Sequence, residues 1–172
     1  MDATWRRIIW QQFGAAIDML DDALRACPDD LWNVRVWGDP YAEFWNIAYH
    51  ALFWLDLYLS GSADGFVPPA PFTLDELDPA GQLPDRPYTK GELQAYLGHG
   101  RQKCQATIEA MTDEQARQLF RISSGEVSFA ELLLYTMRHV QEHAAQLNLI
   151  LGQKVGSSPG WVARAKSRRS SD

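Results

Sequence analysis

The amino-acid sequence predicts an all-α protein, a four-helix bundle with a long proline-rich crossover between its second and third helices. Three observations support this. Four long stretches repeat apolar residues at helical spacing, whereas no stretch shows the two-residue alternation of a half-buried strand. Six of the nine prolines lie between residues 62 and 88. With 172 residues and 46% hydrophobic composition, the chain is most simply one domain with a substantial core.

The first two helices are bounded by prolines. The first is expected over Ala3–Ala26, because Pro28 ends it. The second is expected over Pro40–Leu59, with Asp39 as its N-cap. This second helix is apolar on nearly all sides, so we expect it to be the most buried helix or to form a subunit interface.

The proline-rich stretch is long for a connection inside a compact domain, which favours a crossover or a functional lid. Its length allows the third helix to start beside the start of the second and to lie parallel to it. Thr89 is a suitable N-cap for this third helix, with Glu92 as its capping-box partner, and the helix is expected to end at Met111. A short helical turn begins at Thr112, and a turn over residues 122–125 leads into the fourth helix.

The fourth helix carries the first candidate functional residues. It is expected to begin after Ser128 as N-cap, with Glu131 as capping-box partner, and to end before Gly152. His139 and His143 stand four residues apart on its apolar face. Two titratable rings cost free energy in such a place unless they are bound.

A third histidine occupies the equivalent place on the second helix. His50 shares a stripe with apolar residues, whereas His99 lies off the inward stripe of the third helix. Three imidazoles from two helices could form an open metal site with a position left for water or substrate. The alternative is a set of hydrogen-bonded core histidines. Polar residues near these faces could orient the rings, namely Gln12, Asn46, Tyr135, Glu142 and Gln146.

Composition excludes several classes of function. The net charge of −6 argues against nucleic-acid binding, and no apolar run is long and uninterrupted enough for a membrane span. No signal-peptide pattern is present, and the two cysteines form no disulfide framework, so a cytoplasmic protein is expected.

Cys104 lies on an apolar stripe of the third helix and is expected to be a core residue. Residues 1–153 form the expected domain, and residues 154–172 are expected to be a basic, flexible tail.

Two segments carry a resemblance to a known family. HALFWLDLYL, which begins at His50, and TMRHVQEHAAQLNLILG, about ninety residues later, resemble the DinB/YfiT-like superfamily of bacterial metal-binding four-helix bundles. The resemblance covers about residues 3–153 and implies His50, His139 and His143 as ligands of a divalent zinc, nickel or iron ion. It also implies a homodimer. Glu142 replaces a histidine that the family often carries there.

Three functions remain open at this stage. The first is a thiol-dependent S-transferase-like metalloenzyme, because characterised relatives use mycothiol or bacillithiol; its small-molecule substrate would lie among Trp10, Trp45 and Trp54. The second is a metal-dependent hydrolase that uses a metal-bound water, for which Glu43 and Glu142 are the candidate bases. The third is a non-catalytic bundle that binds a metal or a partner.

Overall fold

The computed structural model describes residues 2–38, 41–123 and 125–167. It confirms an all-α four-helix bundle with a crossover between the second and third long helices. In chain order the helices and strands are α1 (Ala3–Ala26), α2 (Phe44–Ser60), a 3₁₀ helix (Asp75–Leu77), α3 (Lys90–Ala110), α4 (Asp113–Arg117), β1 (Leu119–Ile122), β2 (Gly125–Ser128) and α5 (Phe129–Lys154).

The crossover makes α2 and α3 parallel, as the length of the connection predicted. Tyr88, just before α3, packs on Tyr49 near the start of α2, with 4.8 Å between ring centroids. At the other end, Lys103 of α3 donates a hydrogen bond of 2.6 Å to Ser60, the last residue of α2. Helices α1 and α5 both run in the opposite direction to this parallel pair, and each packs against α2 or α3. The order of directions is therefore up, down, down, up.

Most helix ends follow the predicted capping residues. Helix α1 has the predicted bounds, and the capping box of Thr89 and Glu92 starts α3. The Ser128 side chain accepts a hydrogen bond from the backbone N–H of Glu131 at the start of α5. Gly152 does not end α5, which continues to Lys154. A glycine inside a helix costs only about 1 kcal/mol, and tertiary packing easily outweighs that cost.

The start of α2 is later than predicted. The proposed N-cap and first residue, Asp39 and Pro40, lie outside the described residues. Helix α2 begins at Phe44, because Glu43 is held in an extended conformation. It forms a β-bridge with Arg35, and the Val36 N–H donates to the Ala42 carbonyl at 3.0 Å. A tertiary contact therefore overrides the local helix-start signal.

The expectation that the chain contains no strand is wrong. Strands β1 and β2 form an antiparallel hairpin in which Leu119 pairs with Ser128 and Ile122 pairs with Gly125. Each strand has only four residues, too few for a period of two to stand out from the sequence. The hairpin packs on the bundle through Phe120, whose ring lies 5.2 Å from that of Phe129.

Helix α2 is buried almost all round, with one opening. All its residues are buried except His50, Trp54, Tyr58 and Ser60. The first three stand four residues apart and so form a single stripe along the helix. Among the described residues, no helix has both the length and the apolar character needed to cross a bilayer.

Part of the predicted tail lies along α1 and α3. The backbone N–H of Lys166 donates to Asp18 at 2.6 Å, and its carbonyl accepts from Arg101 at 2.9 Å. Asp18 and Arg101 are themselves a buried ion pair at 2.6 Å, whose spare polar atoms the tail backbone satisfies. Gln12, expected near the histidines, instead donates to the Ala163 carbonyl at 3.4 Å. Residues 168–172 lie outside the described residues.

Candidate metal centre

Three imidazole rings converge between α2 and α5. His139 Nε2 lies 3.2 Å from His50 Nε2 and 3.0 Å from His143 Nε2. One ligand atom from each of the three side chains lies within 4.8 Å of the other two, which is close enough to hold a metal ion. Among the described residues, no other group of side chains meets this criterion. The predicted cluster therefore forms, from the predicted helices.

The spacing of the nitrogens fits one ion. Two nitrogens, each 2.0–2.1 Å from a tetrahedral zinc ion, would lie about 3.3–3.4 Å apart. The observed separations of 3.0 and 3.2 Å are a few tenths of an ångström shorter. Small side-chain movements would bring the rings to ligand distance, so the cluster could hold a divalent metal.

The proton positions on the rings also favour a cation. His50 Nδ1 lies 2.6 Å from a carboxylate oxygen of Glu76, and His143 Nδ1 lies 2.8 Å from the amide oxygen of Gln146. Both oxygens accept hydrogen bonds, so in the neutral rings Nδ1 carries the proton and Nε2 carries a lone pair. His139 Nε2 can donate a proton to the lone pair of His50 or to that of His143, but not to both. At least one close nitrogen pair is therefore repulsive without a cation.

The pKa shifts keep the α5 rings neutral, as metal binding requires. Burial, followed by the neighbouring His143 and His50, lowers the pKa of His139 to about 3. Burial and then His50 also lower the pKa of His143, against smaller opposing effects from Gln146, Glu142 and Glu76. Nδ1 of His139 is buried without a hydrogen-bond partner among the described residues, so no such contact fixes its tautomer.

Glu76 of the crossover is a site residue that was not predicted from the sequence. One of its carboxylate oxygens accepts from both His50 Nδ1, at 2.6 Å, and Trp54 Nε1, at 2.9 Å. A carboxylate behind a metal-binding imidazole fixes the ring and increases its basicity. The available signal was the cluster Asp75, Glu76 and Asp78 in a segment otherwise dominated by proline and apolar residues.

Aromatic packing holds the crossover in position to place Glu76. Phe72 is buried and stacks on Tyr96 of α3, with 4.2 Å between ring centroids. The hydroxyl of Tyr49, the residue before His50, donates to the Thr73 carbonyl at 3.0 Å. These contacts hold the chain beside α2 just before the 3₁₀ helix that carries Glu76.

Two cavities reach the histidines from opposite sides of the 3₁₀ helix, each of about 530 Å³. The acidic cavity is bordered by His50 and His143 and by Asp75, Glu76 and Asp78. The aromatic cavity is bordered by His50, His139, Trp54, Tyr58, Tyr135 and Arg121. Both cavities share His50, and adjacent residues of the 3₁₀ helix, Glu76 and Leu77, face different cavities.

The other predicted polar residues have different positions. Gln146 bonds to His143 as expected, Asn46 borders the acidic cavity and Tyr135 borders the aromatic one. Neither candidate base borders either cavity: Glu142 is exposed on α5, and Glu43 accepts from Trp45 Nε1 at 2.6 Å.

Among the tryptophans expected to form the substrate walls, Trp54 borders a cavity, whereas Trp10 and Trp45 do not. Trp10 instead packs on Arg101, and Trp45 packs edge-on against Tyr88. Trp37 also borders the acidic cavity.

Two further residues lie away from the centre, as predicted. The ring of His99 is 3.4 Å from Asp56, beside a separate cavity of about 370 Å³. Cys104 is fully buried, and burial raises the pKa of its thiol far above the usual range, so it is a core residue rather than a nucleophile.

Comparisons with known proteins agree with the helical-bundle fold. A sequence model of the DinB superfamily matches residues 12–147, a span that includes all three histidines. The crystal structure of a DinB-like protein, YjoA from Bacillus subtilis, is similar with a TM-score of 0.62 and 15% sequence identity, over 92% of this chain and 99% of that one. Among curated proteins, no sequence matches significantly. The family match spans well over half of the chain, which therefore belongs to the DinB superfamily.

Proposed function

We propose that this protein is a divalent-metal-dependent enzyme in which His50, His139 and His143 bind zinc, nickel or iron through their Nε2 atoms. The observation that carries the proposal is the convergence of these three atoms, within 3.0–3.2 Å along the two measured pairs. Glu76 and Gln146 support it, because they hold two of the rings with a lone pair turned toward the centre.

The reaction we propose is thiol-dependent S-transfer to an electrophilic small molecule. A bound divalent ion would lower the pKa of a coordinating thiol and so supply a thiolate at neutral pH. The two cavities support a reaction of two organic molecules, because each has its own access to the shared ring of His50. Hydrolysis requires only one organic reactant.

The residues around the centre have separable tasks in this proposal. Glu76 holds His50 in position and keeps the proton on Nδ1, away from the ligand atom. Trp54 shares that carboxylate and forms a wall of the aromatic cavity, where Tyr58 and Tyr135 lie with 5.8 Å between ring centroids. These rings would exclude water from an apolar electrophile.

The hydrolase remains the alternative, with the same ligands. It would need a general base to take a proton from water. Glu43 and Glu142 do not border the cavities, and the Glu76 oxygen nearest His50 already accepts two hydrogen bonds. A non-catalytic bundle that binds a metal or a partner is the third hypothesis.

Metal content measured on untagged protein tests the site. The parent should contain about one equivalent of divalent metal after incubation with zinc or nickel at about pH 7.5. His143→Ala should lose it. His99→Ala is the matched control, because it removes a histidine that lies outside the cluster, and it should keep the metal. A parent without metal, or equal metal loss in both variants, would refute the proposal.

Cobalt substitution separates transfer from hydrolysis. A thiol that coordinates Co²⁺ produces a sulfur-to-metal charge-transfer band, so low-molecular-weight thiols should change the absorption spectrum of the cobalt protein. The His143→Ala variant should show no such band. If thiols leave the spectrum unchanged while ester or amide substrates are cleaved, the hydrolase is correct instead.

We also propose that the protein is a cytoplasmic homodimer. Both cysteines are free and buried, which fits a reducing compartment. The apolar sides of α2 pack against other parts of the same chain, so a dimer would need other apolar side chains. Trp5 on α1 and Leu149 on α5 are candidates, because they are 58% and 61% exposed. Light scattering after size-exclusion chromatography measures the mass, and a monomer at micromolar concentration would refute the dimer.

A further inference from the structure

The acidic cavity carries negative charge that no basic side chain among the described residues balances. Asp75, Glu76 and Asp78 are half-buried in its wall, and no lysine or arginine in the described part of the chain borders it. The hydrogen bonds to Asp75 and Asp78 come from neutral groups, the Thr73 hydroxyl and the Ala80 N–H. Glu76 interacts with a histidine and a tryptophan.

Other carboxylates of the chain have a basic side chain as a partner. Asp18 pairs with Arg101 at 2.6 Å, Asp56 with Lys103 at 2.5 Å and Glu92 with Arg86 at 2.6 Å. A half-buried carboxylate without a cation is less stable than one with a partner, since burial disfavours the charged form. The acidic cavity therefore lacks a positive partner that comparable groups elsewhere in the fold have.

A buried acceptor in the same wall also lacks a partner. Asn46 is 2% exposed and borders the acidic cavity. Its amide nitrogen donates to the Tyr41 carbonyl at 3.1 Å, which fixes the orientation of the amide. Its Oδ1 atom is buried, and no hydrogen-bond partner for it lies within residues 2–38, 41–123 and 125–167. A buried acceptor in this state is destabilising unless a ligand or water donates to it.

The carboxylates suit an organic cation better than a second metal ion. Among the described residues, the three histidines alone form a group close enough for metal coordination, so the acidic side chains are too dispersed for such a site. The cavity measures about 530 Å³, which is in the range of small-molecule sites. Trp37 and Tyr41 contribute aromatic rings to its wall, and such rings attract ammonium groups.

We infer that the acidic cavity binds a small molecule with a protonated amine, which Asp75 and Asp78 hold by charge, in a wall that also contains the unpartnered oxygen of Asn46. The rest of that molecule extends toward His50 and His143, which border the same cavity. One part of this inference rests on the proposed function, namely that the amine-bearing molecule is a reactant and, in the simplest case, an aminothiol. Its binding to the cavity does not.

The first experiment uses metal-free protein, and so does not depend on the metal. Binding of 1,4-diaminobutane is compared with binding of 1,4-butanediol, a neutral molecule of the same length, by calorimetry and by tryptophan fluorescence. The diamine should bind and the diol should not. Asp75→Asn/Asp78→Asn should weaken diamine binding roughly ten- to a hundredfold, as expected for hydrogen bonds to charged groups.

A matched control separates a site from general electrostatics. Asp30→Asn/Asp64→Asn removes the same charge from two exposed positions that do not border the acidic cavity, and it should bind the diamine like the parent. Circular dichroism and thermal unfolding check that both variants are folded. Equal weakening in both variants, or diamine binding no tighter than diol binding, would overturn the inference. Complete displacement of the diamine by millimolar Mg²⁺ would also overturn it, in favour of an inorganic cation site.

The second experiment links the cavity to the metal. On the cobalt protein, cysteamine should produce the thiol charge-transfer band at lower concentration than 2-mercaptoethanol, and mercaptoacetate at higher concentration. The Asp75→Asn/Asp78→Asn variant should abolish that order. Diamine binding without any metal binding would mean that the proposed function fails and the cation site stands. A cobalt–thiol band with no preference among the three thiols would leave the proposed function standing and would overturn the assignment of the amine to the thiol reactant.

Discussion

The hydrogen bond between Glu76 and His50 should contribute strongly to metal affinity. The carboxylate is 14% exposed and lies 2.6 Å from Nδ1 of a ring whose Nε2 faces the cluster. Outer carboxylates of this kind change metal affinity about 10- to 100-fold. Glu76→Gln keeps an acceptor but removes the charge, so it should weaken metal binding about tenfold, or about 1.4 kcal/mol. Glu76→Ala also frees the ring and should approach about a hundredfold, or about 2.8 kcal/mol.

Competition with a chromophoric chelator at fixed pH measures these affinities. Asp75→Asn is the control, because it removes the same charge one residue earlier, from a carboxylate that accepts from Thr73 rather than from a ring. It should change metal affinity by less than about threefold, as a partly exposed charge contributes little. If Glu76→Gln and Glu76→Ala both bind metal as tightly as the parent while His143→Ala does not bind it, the role assigned to Glu76 is wrong.

Three further predictions concern stability. The lowered pKa of His139 and His143 means that the folded chain binds fewer protons than the unfolded chain below pH 6.5. The free energy of unfolding of the metal-free protein should therefore fall on acidification from pH 6.5, by up to about 1.4 kcal/mol per pH unit for each histidine, and His139→Gln should reduce this slope in urea titrations. A Cβ on Gly14 would lie 2.6 Å from Ala165 Cβ, so Gly14→Ala should cost about 1–3 kcal/mol in the parent and clearly less in Ala165→Gly; equal costs would contradict the tail contact. Thr89→Ala removes the capping box of α3 and should cost about 1 kcal/mol in the same assay, where an unchanged midpoint would contradict it.

The sequence was sufficient for the bundle and for the histidine cluster because both depend on periodicity. Helical spacing determines which residues share a face, and it placed His139 and His143 one turn apart on the apolar face of α5. The capping residues Thr89 and Ser128 fixed two helix starts, because a cap satisfies backbone N–H groups locally. His50 meets these rings because it lies on the single open stripe of α2, the side that faces α5.

The features that the sequence did not reveal depend on contacts between distant segments. Glu76 follows no periodic pattern, and its position depends on Phe72 packing against α3. The tail is ordered along α1 by the buried pair of Asp18 and Arg101, which lie 83 residues apart. A composition of serine, glycine and basic residues predicts a solvated tail, but backbone hydrogen bonds to a buried ion pair depend little on side-chain type.

The two cavities follow from the direction of the helices. Along α2 the open stripe is His50, Trp54 and Tyr58, and along α5 the facing stripe includes Tyr135 and His139. The helices are antiparallel, so tyrosine meets tyrosine at one end and histidine meets histidine at the other. The gap beside these rings forms the two cavities, both of which reach His50.

The crossover divides this gap. Since α3 is parallel to α2, the connection must return along the length of the bundle, and it passes beside the open stripe of α2. There the 3₁₀ helix turns Glu76 toward one cavity and Leu77 toward the other, while the Glu76 carboxylate bonds to His50 and Trp54. The same segment therefore creates two chemically different approaches to the three histidines and holds one of those histidines in place. A bundle with α2 and α3 joined by a short antiparallel turn would have no segment in this position, and its histidines would face one continuous opening.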